Sequence, residues 1–267
     1  FRDSWANEIA TNVMSVGKGY IIRGPKTFSE TVAARHEAVF IGVPNNGEVS
    51  VPISVTDTSN LIGNPYPSAI NADLFINRNK DIMDGTIYLW THNTAITKNV
   101  YTSDDYAVYN LLGGVGTSAA INSGINNAKP DGKIASGQSF FVTSINGGGT
   151  AVFQNNMRVI GQNANFFKSS SPKKLKSDEV EKHRIWLNLS NNEGAFKQIL
   201  IGYATGATND FDSSFDGESF DGNQFLDFYS INQDLKLVIQ GRALPLEETD
   251  EIKLGFSSTV AGSYMIK

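Results

Sequence analysis

Two prolines in three positions close the run Gly63-Asn64-Pro65-Tyr66-Pro67 to both helix and mid-sheet, and this constrains the chain more than any other stretch. Each proline fixes its own φ and pushes the residue before it, Asn64 or Tyr66, toward extended geometry, while Gly63 can take the positive φ that other residues avoid. The run predicts a stiff corner. After it, residues 69–76 are long enough for about two helical turns. Asp84-Gly85 then reads as a turn launching Thr86-Ile87-Tyr88-Leu89-Trp90, a strand rich in β-branched and aromatic residues.

The rest of the chain extends the same pattern. Its 25 glycines, with many Asn, Ser and Thr, predict frequent tight turns between short strands. A hairpin is expected where residues 38–43 and 48–53 flank Pro44-Asn45-Asn46-Gly47, and a second where 137–143 and 150–153 flank Asn146-Gly147-Gly148-Gly149. Residues 5–14 read as a short helix, 20–23 as a strand stopped by Gly24-Pro25, and 106–112 as a strand that dissolves into Gly113-Gly114-Val115-Gly116. Residues 117–131 read as a long surface loop. In the second half, strands are expected at 183–189, 196–203, 235–239, 251–256 and 263–267.

No long helical pattern appears, so the expected class is all-β, as two antiparallel, jelly-roll-like β-sandwich domains in tandem. The charge-dense run KSSSPKKLKSDEVEK divides them: a first domain at 1–167, a linker at 168–182 and a second domain at 183–267, read as truncated at its C-terminus. A chain of 267 residues suits two domains of about 150 each. The start at Phe1-Arg2-Asp3 is no signal peptide, and the chain reads as a fragment of something longer.

Composition removes several function classes. A net charge of −5 argues against a phosphate-backbone binder, so no nucleic-acid partner is expected. The absence of cysteine excludes disulfides, thiolate metal sites and a cysteine nucleophile. No stretch approaches the roughly 20 apolar residues of a membrane span, so no membrane insertion is expected.

The segment from Asn209 to Asp227 holds Asp210, Asp212, Asp216, Asp221 and Asp227, punctuated by Gly217 and Gly222. Oxygen-rich loops suit a hard cation, and Asp212-x-Ser214-x-Asp216-Gly217 imitates the start of a calcium loop, although Asn223 stands where a bidentate Glu belongs. Asp210, Asp212, Asp216 and Asp221 are therefore a candidate calcium set. The competing reading is that these carboxylates cap turns, with Phe211, Phe215, Phe220 and Phe225 anchoring the loop to the core. His36, His92 and His183 lie too far apart in sequence for a short metal motif and read as structural. No Gly-x-Ser-x-Gly elbow is present, Ser139 falls in a strand pattern, and no residue nominates itself as catalytic, so no enzyme is expected. Gly147-Gly148-Gly149 lacks the Gly-Lys-Ser/Thr ending of a phosphate loop. Tyr88, Trp90, Tyr101, Tyr106 and Tyr109 supply either a sugar-stacking platform or core rings, and Tyr88 and Trp90, two apart, share a face expected to look inward.

Several phrases, taken in order, resemble modules of large secreted proteins of gliding and marine Bacteroidetes, the cargo of the type IX secretion system. They are Gly17-Lys18-Gly19-Tyr20-Ile21, Phe40-Ile41-Gly42-Val43-Pro44-Asn45-Asn46-Gly47, Asn60-Leu61-Ile62-Gly63-Asn64-Pro65-Tyr66-Pro67-Ser68, Gly137-Gln138-Ser139-Phe140-Phe141-Val142 and Phe153-Gln154-Asn155-Asn156-Met157-Arg158. Asp212-Ser213-Ser214-Phe215-Asp216-Gly217 and Leu237-Val238-Ile239-Gln240-Gly241-Arg242 resemble the region preceding the carboxyl-terminal sorting domain. The resemblance implies an extracellular or cell-surface location and export through the type IX machinery by a sorting domain beyond this chain. It implies a non-enzymatic structural or adhesive role, with surface glycans as candidate partners. The alternative is a carbohydrate-binding accessory module of a secreted polysaccharide-degrading enzyme.

Overall fold

The structure is a computed structural model describing residues 8–9, 11–22, 32, 39, 41–54, 59–91, 96–97, 100–101, 106–118, 129–163, 181–220 and 225–267. The first half carries β1 (Val49–Ile53), β2 (Ser59–Gly63), β3 (Ala69–Asn71), α1 (Ala72–Asn79), β4 (Met83–Trp90), β5 (Ile96–Thr97), β6 (Val100–Tyr101), β7 (Tyr106–Asn110), β8 (Gly113–Val115), β9 (Thr117–Ser118), β10 (Lys133–Ile134), β11 (Ser139–Ser144), β12 (Gly149–Phe153) and β13 (Arg158–Val159). The second carries β14 (Lys182–Asn191), β15 (Phe196–Ala204), β16 (Gly217–Glu218), β17 (Leu226–Asn232), β18 (Leu235–Ala243), β19 (Lys253–Ser258) and β20 (Tyr264–Ile266). The fold is all-β, as the turn-rich composition predicts, with α1 the one α-helix among the described residues.

The first half is organised on a five-stranded antiparallel sheet in the order β2-β11-β4-β7-β8. Successive side chains on a strand point to opposite faces, and here both faces are covered. Ile87 and Leu89 of β4 join Ile62, Phe140, Val142 and Tyr109 in a core closed by α1, β1 and β12. Phe75 of α1 stacks on Phe153 at 4.7 Å between ring centroids and meets Phe140 edge-on at 5.4 Å. The intervening Tyr88 faces the second half of the chain. Burial on both faces explains why Thr86-Ile87-Tyr88-Leu89 is nearly unbroken in apolar character instead of alternating with polar residues.

The helix begins later than its sequence suggests. Residues 69–71 form β3, and Asn71 caps α1 by accepting from Leu74 N at 3.2 Å. At the other end Asn79 acts as a short piece of strand. Its amide donates to Val152 O at 3.1 Å and accepts from Val152 N at 2.7 Å, fixing α1 to β12.

The expected strand pairings are mostly replaced by longer-range ones. Among the described residues, which leave out 38 and 40 of its first arm, the hairpin around Asn45-Asn46-Gly47 is absent: β1 pairs with β12, from Val49 opposite Phe153 to Ile53 opposite Gly149. The Asn-Gly groups are engaged elsewhere, since Gly47 N donates to Asn155 Oδ1 and Gly47 O accepts from Tyr66 Oη. Nor is there a hairpin around residues 146–149, because β11 pairs with β2 and β4 while β12 belongs to another sheet. Asp84-Gly85 is not a turn before a strand but a bulge within β4, where the register against β11 shifts between Val142 and Ser144. Gly113-Gly114-Val115 is strand β8 and closes a tight hairpin with β7. In the segment read as a surface loop, Thr117 and Ser118 pair with β15 and Pro130 is buried, while residues 119–128 lie outside the described ones. No helix is present at 8–9 or 11–14, and residues 20–22 form no strand, leaving 1–7, 10 and 23–25 outside the description.

The second half is an eight-stranded sheet whose main path is β19-β17-β18-β15-β14-β20. Its pairs are antiparallel with one exception, β15 beside β18, which run parallel from Leu200 opposite Ile239 to Ala204 opposite Ala243. In β15, Ile199, Ile201 and Tyr203 pack with Leu189, Leu226 and Phe228, whereas Leu200 and Ala204 face the first half. Lys182, read as the end of the linker, opens β14, and residues 168–180 lie outside the description. The tandem halves are stacked. Tyr88, Val108, Leu112 and Val115 of one half and Leu200, Ala204, Val238 and Ile239 of the other form one apolar cluster.

Candidate functional site

Two places collect polar side chains of unusual geometry: the proline corner and the acidic segment. The corner is held from inside by Asn64, 5% exposed, whose amide nitrogen donates to Ser68 O, Ile134 O and Ala135 O at 2.8, 3.1 and 3.0 Å. Its Oδ1 accepts from Tyr66 N at 3.0 Å, closing an Asx turn across the first proline. Gly63, expected to supply a positive φ, instead ends β2 in a close approach. A Cβ there would lie 3.3 Å from Ser139 Oγ.

Three distant segments meet on this corner. Tyr66, 1% exposed, donates from Oη to Gly47 O at 2.6 Å, and burial pushes its hydroxyl pKa up. Asn45 donates to Pro65 O at 2.9 Å and Asn163 to Pro67 O at 2.8 Å. The Arg158 guanidinium lies 5.5 Å from the Tyr66 ring centroid, donating from Nε to Ser68 Oγ at 2.9 Å and from Nη1 to Asn46 Oδ1 at 3.1 Å. Beside it opens a cleft of about 480 Å³, lined by Ser68, Asn155, Gly161 and Asn163 with Arg158, Val159 and Ile160. The proline run announced the bend. Nothing local in the sequence announced that Arg158, ninety positions on, would cover it.

The acidic segment turns its carboxylates toward peptide nitrogens. Asp212 Oδ2 accepts from Thr208 N at 3.0 Å and its Oδ1 from Phe215 N at 3.1 Å. Asp216, 2% exposed, accepts from Asp212 N at 2.7 Å and from Gly241 N at 2.8 Å, and burial raises its pKa to about 6 against these hydrogen bonds. Asp210 is exposed and accepts from Gln233 Nε2 at 2.8 Å. Asp221 lies outside the described residues, with Gly222 and Asn223. Asp212 and Asp216 are therefore brought together through peptide groups, while Asp210 turns to Gln233 in the tight turn between β17 and β18. Among the described residues no three His, Cys, Asp or Glu side chains are grouped to hold a metal ion. Asp227 sits apart on β17, where its Oδ1 pairs with Lys197 Nζ at 2.6 Å, and Lys197 with Lys236 lowers its pKa against the cost of burial.

The phenylalanines fasten this segment to the junction between the halves. Phe220 lies 4.6 Å from Tyr88, 4.5 Å from Tyr106 and 6.3 Å from Phe141 between ring centroids, and Phe215 packs on the same cluster. Thr86 Oγ1 donates to Asp216 O at 3.3 Å. Asp84, in the β4 bulge beneath, has its pKa raised to about 7 by burial, opposed by hydrogen bonds from Thr86 and Thr143 and assisted by Glu218. Three of the five candidate sugar-stacking rings are accordingly core: Tyr88 and Tyr109 are buried, and Phe220 covers Tyr106. Trp90 is half-buried at the end of β4, and the Tyr101 side chain lies outside the description. His183 pairs with Glu181 at 2.8 Å on the exposed start of β14, and His36 and His92 lie outside the described residues. Ser139 is on β11, as its pattern suggests.

Comparison with curated proteins and with solved structures finds no match. One family model matches residues 2–267, and the chain belongs to that family, a domain of unknown function, DUF8693.

Proposed function

We propose that this chain is a non-enzymatic structural and adhesive module of a large secreted or cell-surface bacterial protein, exported by the type IX secretion system. The observation that carries the structural part is the junction. A buried apolar cluster from both halves is tied by Thr86 to Asp216 O, Trp186 Nε1 to Gly114 O at 3.0 Å and Arg184 to Leu112 O at 3.1 Å. Apolar contact of this kind removes the relative motion that domains joined only by a linker retain. A rigid stacked unit suits a spacer that holds other domains away from a surface.

Heating the intact chain in a calorimeter tests the structural part, with one cooperative transition expected and two separated transitions overturning it. Export is tested by surface labelling of the gene product in a host with and without a working type IX machinery. Surface signal that persists without that machinery rejects the route.

The second reading, a carbohydrate-binding accessory, is favoured by one observation: the cleft in which Arg158 stands among amides.

A further inference from the structure

Arg158 is a cation without a carboxylate partner among the described residues. Two of the five N–H donors of its guanidinium are taken, by Ser68 Oγ and Asn46 Oδ1, and both acceptors are neutral. Glu48, which approaches the same corner, accepts instead from Gln154 at 3.0 Å. The guanidinium is held in place by Tyr66 beneath it and by these two bonds, so little side-chain entropy remains to be lost on binding. Beside the remaining donors stand Asn155, Asn163 and Ser68. Asn155 Oδ1 accepts from Gly47 N, Asn163 Nδ2 donates to Pro67 O and Ser68 Oγ accepts from Arg158, which leaves the Asn155 amide nitrogen, the Asn163 amide oxygen and the Ser68 hydroxyl hydrogen toward a ligand. Ile160, 97% exposed, supplies apolar surface at the rim.

We infer that this cleft binds an acidic sugar, a uronate residue within a polysaccharide, with the carboxylate on Arg158 and the hydroxyls on the flanking amides. The inference rests on the carbohydrate-binding reading and names its site and ligand class. A planar guanidinium matches a carboxylate through two parallel N–H···O bonds, the strongest neutral-pH pairing a side chain offers to an acid. An amide nitrogen and a hydroxyl that donate, beside an amide oxygen that accepts, match vicinal hydroxyls, which do both, and the aliphatic rim matches the C–H face of a pyranose ring. An acidic peptide is the less suitable occupant. Strand addition needs a free edge of several residues, and β13 at this cleft has two.

The test is calorimetric titration of the whole chain with trigalacturonate, with galactotriose as the neutral counterpart and an acetylated, amidated Asp-Gly-Asp peptide as the acidic one. Saturable binding of trigalacturonate is expected, with galactotriose about tenfold weaker or more because it lacks the charge-assisted hydrogen bond, and the peptide weaker by a similar factor because it lacks the hydroxyls that meet the amides. Arg158→Gln is expected to lose about tenfold in affinity. Ile160→Glu, at a position too exposed to affect folding, is expected to weaken binding through like charge at the rim and to leave the unfolding temperature unchanged. No saturable binding, equal binding of galactotriose, or either variant binding as the parent does overturns the inference. Tighter binding of the peptide overturns it in favour of an acidic protein segment. All these failures leave the single unfolding transition, which tests the scaffold reading, untouched.

Discussion

Asn64 shows how much of the corner rests on one side chain. Its nitrogen faces three carbonyl oxygens, so Asn64→Asp places a carboxylate oxygen against acceptors alone, while the other oxygen keeps the bond from Tyr66 N. A loss of about 3 kcal/mol or more is expected in urea unfolding, the order seen when a buried polar group is left opposed. Asp84 and Asp216 set a pH dependence. Burial raises both, to about 7 and about 6, so between the ordinary carboxylate value and pH 7 the folded chain holds protons that the unfolded chain has released. Their contribution is greatest at low pH and is lost as pH rises through these values, together on the order of 4 kcal/mol between pH 5 and 8. Asp227, lowered by its lysines, works in the opposite sense and loses its contribution only in stronger acid. Unfolding temperature measured from pH 5 to 8 should therefore fall, and the fall should shrink in Asp84→Asn. At this scale the sequence was legible where the cause is local. Pro65 and Pro67 dictate a bend on their own, and Asp212 caps residues a few positions away. Arg158, Ser68 and Asn46 assemble only after folding, so no window of sequence contains them.

Among the elements, the β4 bulge is the one whose failure is simplest to read. Gly85 has φ of 76°, and a Cβ there would lie 2.3 Å from Ser213 O, a backbone atom that cannot swing away. Gly137 has nearly the same φ, 70°, with nothing near its would-be Cβ. Gly137→Ala is expected to cost about 1 kcal/mol from backbone strain alone, and Gly85→Ala at least about 2 kcal/mol more, compared by denaturant midpoint. Strand positions were largely readable because alternation and β-branched composition are local: β14 and β15 lie within two residues of their expected bounds. Pairing was not. An Asn-Gly tip favours a hairpin only while nothing else claims its groups, and here Tyr66 and Asn155 claim them. Partners such as β1 and β12, a hundred residues apart, are chosen by the shape of the core.

For the whole molecule the decisive feature is that the five-stranded sheet is buried on both faces at β4, β7 and β8. Leu112, fully buried at the junction, packs where a Cβ on Gly202 of β15 would come within 3.0 Å. Leu112→Ala is expected to cost about 2–5 kcal/mol, and in calorimetry to lower a single transition without splitting it. The composition indicated all-β, but sandwich patterning is the same whether the second layer is a partner sheet or another half. Stacking was invisible for that reason. The short strand β9 adds a further consequence, because Thr117 and Ser118 of the first half are stitched into the sheet of the second. Cut the polypeptide within residues 168–180 and neither piece keeps a complete wall around its own interior. Co-expressed as separate genes, the two fragments should find one another and copurify, each serving as the template on which the other closes.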